Sequence, residues 1–231
     1  MEQVGQDRGL IHYRTRVPGP RPELPLRIDG LADRAQVFAD GRPIGVLERN
    51  SPGATLPLAT GPDGVVLDIL VEALGRVNYG PQMDDRKGIT RGVSHGHQRL
   101  FGWEIRPLPL TDLSALSFTD GADGTEAGEA GDGEPGDGEP AFHRFTAELP
   151  SPADAFVALP DWGRGLLWLN GFLLGRHCAA GPQRTLYAPA PLWRAGTNDL
   201  VVLELERHGT AVELRDEPDL GPVTAAPSSD Y

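Results

Sequence analysis

Short runs of leucine and β-branched residues, ending in alternation with acids, dominate the hydrophobic pattern of this chain. VVLDILVE (65–72) and DLVVLELE (199–206) are the clearest, and Gly, Pro and Asn punctuate the chain around them as they do around sheet strands. No apolar period of 3.6 residues is sustained. The 30 glycines and 22 prolines in 231 residues supply far more turn punctuation than a helical bundle tolerates. Two blocks then repeat one another. Val37-Phe38-Ala39-Asp40-Gly41-Arg42-Pro43-Ile44-Gly45 and Leu167-Trp168-Leu169-Asn170-Gly171-Phe172-Leu173-Leu174-Gly175 both read as three strand residues, Asp or Asn, Gly, three residues, Gly. Asp-Gly and Asn-Gly accept the positive φ that both centres of a type I′ turn require, so each block predicts a β-hairpin. VVLDILVE follows the first block and DLVVLELE the second at a similar distance. Two copies of one antiparallel β-domain are the economical account.

Between the copies, residues 120–140 (DGADGTEAGEAGDGEPGDGEP) hold no aromatic and no β-branched residue except Thr125. Such a stretch cannot bury enough apolar surface to offset the entropy of ordering it. The expected organisation is therefore all-β: a first β-sandwich over 1–110, a Gly/Asp/Glu-rich linker over 111–140 with its acidic part disordered, a second sandwich over 141–215, and a polar, frayed tail over 216–231. A (β/α)₈ barrel takes about 250 residues of alternating strand and helix, and neither the length nor the rhythm is present.

Charge sharpens this picture. The net charge is −12, and eight acids without a base fall within 120–140, which leaves −4 for the remainder. No nucleic-acid partner is expected, because phosphate neutralisation needs a Lys/Arg patch. Of the 21 bases only Lys87 is a lysine, a bias that reads as the codon usage of a GC-rich genome. The single cysteine, Cys178, cannot close an intrachain disulfide. No apolar stretch approaches the roughly 18 residues of a membrane span, and the first thirty residues lack the apolar core of an export signal. No membrane partner is expected. The localisation is open, cytoplasmic if the chain is expressed as given.

Among candidate chemical residues, His95 and His97 have the spacing of two metal ligands. With no third ligand near and Gly96 between them, they read as a solvated loop, and neither metal nor cofactor is expected. His177 and Cys178 evoke a thiolate–imidazole pair, but neighbours in a strand face opposite ways. Trp162, Trp168 and Phe172 are candidates either for sugar stacking or for interdomain packing, with Trp168 fitting a core position better. The Gly-rich stretch carries no phosphate-loop arrangement.

Two sets of residues together resemble a specific family. The first runs through Asp33–Phe38, Gly45–Asn50, Leu67–Glu72 and Gly75-Arg76-Val77-Asn78-Tyr79-Gly80. The second runs through Trp162–Gly165, Trp168–Phe172, Leu174–Arg176, Gly181–Gln183, Thr185–Pro189 and Val202–Glu206. In this order they resemble the β-domains that follow the catalytic barrel in family 35 glycoside hydrolases, the β-galactosidases. The resemblance implies two galactose-binding-like jelly rolls, with a (β/α)₈ barrel as partner in cis or in trans and a β-galactoside met only through that barrel. It implies that Tyr79 lines the galactoside site of the intact enzyme while Arg76 and Asn78 hold its loop. Retaining hydrolysis needs a pair of carboxylates about 5 Å apart. Glu48, Glu72, Glu204 and Glu206 match jelly-roll positions instead, so no catalytic residue is expected in this chain.

The chain departs from the family's usual Gly-Arg-Tyr-Trp at Gly175-Arg176-His177-Cys178, which takes two aromatic rings from an expected rim. Beside the bracing portion of a β-galactosidase, the alternative is a free-standing galactoside-binding module. A bracing domain should expose an apolar patch, and a lectin-like one a concave polar site with an exposed aromatic.

Overall fold

The computed structural model describes residues 1–118, 138–181 and 183–221. The stretch 119–137, which holds most of the expected disordered linker, and the tail from 222 onward lie outside the described residues. The fold is all-β and antiparallel. No helix among the described residues is long and apolar enough to cross a membrane. The chain divides into two compact units, Met1–Leu110 and Thr111–Tyr231.

The first unit contains β1 (Leu10–Val17), β2 (Arg21–Ala32), β3 (Arg34–Ala39), β4 (Arg42–Glu48), β5 (Leu56–Thr60), β6 (Val65–Glu72), β7 (Gly88–His95), β8 (Gln98–Arg99) and β9 (Glu104–Leu108). They form two sheets, ordered β4-β3-β6-β1-β9 and β5-β2-β7-β8. The core draws Ile11, Val37, Leu67 and Ile69 from the first sheet and Leu26, Leu58 and Val93 from the second. In β1 the period-2 pattern is legible, with Tyr13, Thr15 and Val17 buried and Arg14 and Arg16 exposed between them. On the outer face Asp68 of β6 accepts hydrogen bonds from its cross-strand partner Arg14 at 2.7 and 3.0 Å, and lies 2.6 Å from His12 Nε2. Burial opposes ionisation of Asp68, but these partners prevail and hold its carboxyl below the usual range.

The second unit contains β10 (Ala141–Leu149), β11 (Ala155–Ala158), β12 (Arg164–Leu169), β13 (Phe172–Cys178), β14 (Thr185–Ala188), β15 (Gly196–Glu204) and β16 (Glu213–Arg215). Its sheets run β10-β15-β12-β13 and β14-β11-β16. Strand for strand this repeats β1 to β7, whose pairings are β1-β6-β3-β4 and β5-β2-β7. Among the described strands, only β8 and β9 have no counterpart.

The equivalence extends to single atoms at the hairpins. Asp40 and Gly41 have φ of 48° and 79°, and Asn170 and Gly171 have 50° and 82°, the positive pair of a type I′ turn. Asp40 Oδ1 accepts from the backbone N–H of Val66, and Asp40 N–H donates to Val66 O. Asn170 exchanges the same two bonds with Asp199. Each hairpin carries a bulge at one place: Val37 pairs with Gly45 and Phe38 with Pro43, as Leu167 pairs with Gly175 and Trp168 with Leu173. The last glycine of the repeated motif therefore marks where Ile44 or Leu174 is left as the extra residue.

Candidate functional site

The connection from β6 to β7, residues 73–87, is irregular, and side chains rather than a backbone ladder hold it. At its start the N–H of Leu74 donates to Asp33 Oδ2 at 2.8 Å. At its end the Lys87 ammonium, 4% exposed, donates to both Asp33 oxygens at 2.9 Å and to Asp85 Oδ2 at 3.1 Å. Arg49 bridges the two acids, at 3.2 Å from Asp33 and at 2.5 and 2.9 Å from Asp85. Two acids and two bases thus close a charge-balanced cluster. Arg49 holds the Asp85 carboxyl below its ordinary range.

Arg76 donates to Glu2 Oε1 at 2.6 Å and to the Asp7 carbonyl at 3.1 Å. Glu2 in turn accepts from the N–H of Lys87 at 3.1 Å. Burial works against ionisation of Glu2, but backbone N–H groups and Arg76 overcome it and bring its pKa down to about 2. Arg76 therefore ties the loop to the N-terminal turn Glu2–Val4. Asn78 lies exposed in the middle of the loop. Tyr79 beside it is 89% exposed, and Leu74, Val77 and Met83 of the same loop are exposed as well. An open depression of about 420 Å³, walled by Glu2, Arg76, Met83, Asp85 and Arg86 among others, adjoins the loop.

The aromatic candidates of the second unit separate. Trp162 is 1% exposed: its Nε1 donates to Ala211 O at 2.8 Å, and His143, Phe145 and His177 meet its ring edge-on. Trp168 is buried in β12 with Phe142 tilted against it. Neither ring is presented to a sugar, and only Phe172, at the hairpin tip, is exposed. Position 177 corrects the expectation of a rim: it lies in β13, with His177 turned inward beneath Trp162. Burial lowers the His177 pKa to about 4 and so keeps the ring neutral; burial and then His208, 2.8 Å away, do the same for His143.

His95 also departs from the sequence expectation. The strand β7 runs through it, the turn begins only at Gly96, and its buried Nε2 lies 2.8 Å from Leu58 O. Glu204 at the end of β15 is fully buried. Its carboxylate collects the backbone N–H groups of Gly163, Arg164, Leu205, Glu206 and Arg207 at 2.7–3.2 Å. Desolvation nevertheless leaves its pKa above the usual carboxylate value. Sequence reasoning missed Asp33, Asp85 and Lys87. The one available signal was that Lys87 is the sole lysine among arginines.

Two repeated antiparallel sandwiches, the first with an anchored loop that displays a tyrosine, define a tandem of all-β modules. Family models match in the same order: "Beta-galactosidase, first all-beta domain" over residues 1–109 and "Beta-galactosidase, galactose-binding domain" over 140–198. The chain belongs to the β-galactosidase family and carries its all-β, galactose-binding-like domains. It is 40% identical to a Xanthomonas manihotis β-galactosidase over 81% of its own length and 29% of the relative's. It is 38% identical to the human β-galactosidase over 96% of this chain and 34% of that one. The chain thus spans about a third of the length of the relatives it matches. Among solved structures, a Pleurotus ostreatus lectin in complex with GalNAc aligns over 90% of this chain and 77% of its own at a TM-score of 0.28 and 12% identity, too low to carry any argument.

Proposed function

We propose that the two sandwiches brace a (β/α)₈ catalytic barrel, in cis or in trans, and that loop 73–87 lends Tyr79 to the galactoside site of the assembled β-galactosidase. The observation that carries this reading is the contrast within one loop. Its base is locked by buried ion pairs, while Tyr79 at 89% and Met83 at 65% exposure point an apolar face at solvent. A loop that fixed and that apolar fits a surface made to be covered. A phenol offers a sugar an apolar ring face and a hydroxyl together, which suits the margin of a glycoside site. In this reading Arg76 holds the loop's shoulder through Glu2 and Asp7, and Asn78 continues the loop to the tyrosine.

The test supplies a family barrel to the chain and measures turnover of an aryl β-galactoside. Tyr79→Ala should lower kcat/KM at least tenfold while association of the two parts stays within twofold, because one side chain is a small part of a large interface. Unchanged turnover would remove Tyr79 from the site. Saturable binding of galactose by the chain alone, abolished by Tyr79→Ala, would favour a free-standing galactoside-binding module.

A further inference from the structure

We propose that Asp33 is a positioning residue: its carboxylate staples both ends of loop 73–87 to the first sandwich and thereby fixes where Tyr79 stands. The inference rests on the reading of Tyr79 given above and adds the device that serves it. Asp33 directly precedes β3, and its own N–H donates to Glu72 O at the end of β6, so its backbone is part of the sheet. Its two oxygens then reach opposite ends of the loop. Oδ2 takes the Leu74 N–H, two residues after β6, and both oxygens take the Lys87 ammonium, one residue before β7.

The ammonium is placed so that three acceptors surround it: Asp33 Oδ1, Asp33 Oδ2 and Asp85 Oδ2. A compact head with three donors meets all three from one point, whereas the planar fork of a guanidinium would not. That accounts for a lone lysine in a chain whose other 20 bases are arginine. Arg49 closes the cluster from outside, with its N–H donating to Asp33 O and its guanidinium spanning Asp33 and Asp85. Every residue between these anchors, Tyr79 included, hangs from a base whose two ends meet at one carboxylate.

The experiment has two readouts on the full chain and its complex. In Asp33→Asn, amide hydrogen exchange should speed up at least tenfold at Leu74 and at the bonded loop amides Asp85 and Lys87, with β10, β12 and β15 of the second unit unchanged. With a family barrel supplied, kcat/KM on an aryl β-galactoside should fall as in Tyr79→Ala. The double variant should be no worse than Tyr79→Ala alone, because loosening a loop whose working side chain is gone changes nothing further. Parent-like exchange at Leu74, Asp85 and Lys87 in a folded Asp33→Asn chain overturns the staple. An additive double variant, or parent-like kcat/KM in Asp33→Asn where Tyr79→Ala is impaired, overturns positioning. A loosened loop with parent-like kcat/KM in both single variants refutes the substrate reading of Tyr79 and leaves the staple standing. Should Asp33→Asn not fold, Arg49→Gln loosens the same cluster from its solvent side and is read by the same exchange.

Discussion

The two sandwiches share seven strands in the same order, yet the chain leaves their central strands in opposite ways. From β6 it enters the long loop 73–87, and from β15 the shorter connection 205–212. Both exits are organised by a buried carboxylate at the junction with the preceding strand of the sheet, but on different partners. In the first unit Asp33, just before β3, reaches across to Leu74, two residues past β6. In the second, Glu204 on the outgoing strand reaches back to Gly163 and Arg164 on the incoming one. The first arrangement recruits Lys87 and Arg49, and so supports a long, displayed loop. The second satisfies its charge with backbone donors, and so supports a tight corner built on a buried carboxylate. Carboxylates at two different positions of the shared junction serve display in one copy and closure in the other.

Removing the second carboxylate should give the largest effect. Glu204→Ala takes the acceptor from a fully buried site where five N–H groups converge. Each unmet buried donor costs on the order of 1–3 kcal/mol, so a loss of about 4 kcal/mol or more is expected, confined to the second unit. Three of the four tryptophans, Trp162, Trp168 and Trp193, belong to that unit, so fluorescence reports it directly. A melt in which both units lose stability equally would show that their cores are not independent.

Acid should separate the units next. His143 and His177 hold pKa values near 4 in the folded chain against about 6.5 unfolded. Between those values the unfolded chain binds more protons, so stability of the second unit falls as pH drops from 6.5 to 4. Glu204 acts in the opposite sense, since its raised pKa lets the folded form take a proton first. The net loss should be on the order of a few kcal/mol, mainly from the more deeply buried His177, with His143 discounted for solvent screening. In the first unit Glu2, Asp68 and Asp85 have lowered pKa values; their stabilisation is full above the unfolded values near 4 and is lost only below, for Glu2 toward pH 2. At pH 5 tryptophan fluorescence should therefore melt earlier than at pH 7, while exchange protection of β1 and β6 stays unchanged. Equal loss in both units would contradict this assignment.

The reach of the sequence can be judged from these same residues. The hairpins and the strands that follow them were legible, because Asp-Gly and Asn-Gly are local signals and period-2 alternation needs only neighbours. Tyr79 was legible as a loop residue because it follows closely on the strand VVLDILVE, where the chain leaves the sheet. The staple was not: Asp33 and Lys87 are 54 residues apart, and nothing local to either marks an acid or a base as buried. His95 was misplaced because strand β7 runs right up to it and the turn begins only at Gly96. Trp162 fooled composition in a similar way. It stands just outside β12 in an Asp-Trp-Gly turn, and only the return of residues 205–212 over it closes the core.

A smaller asymmetry lies in the turns. Asn170 Nδ2 donates to Leu192 O and Asn198 Oδ1 while its Oδ1 accepts from Asp199. Asp40 has one such bond, on an exposed turn. Asn170→Ala should therefore cost about 2–3 kcal/mol and Asp40→Ala about 1, by chemical denaturation of each unit. Equal costs would mean that the additional hydrogen bonds of Asn170 contribute nothing net.

The last comparison predicts sameness. Gly41 and Gly171 follow Asp40 and Asn170 with φ of 79° and 82°, and a Cβ built on either meets no heavy atom within 4 Å. With no clash to differ between the two sites, Gly41→Val and Gly171→Val lose only the backbone term that a β-branched residue incurs at positive φ, about 1–2 kcal/mol. The two losses should agree within about 0.5 kcal/mol, measured by denaturant midpoints of the two units. If one variant melts like the parent while the other is destabilised, the two hairpins do not share one turn, and the atom-level equivalence of the copies fails at the place where it is most complete.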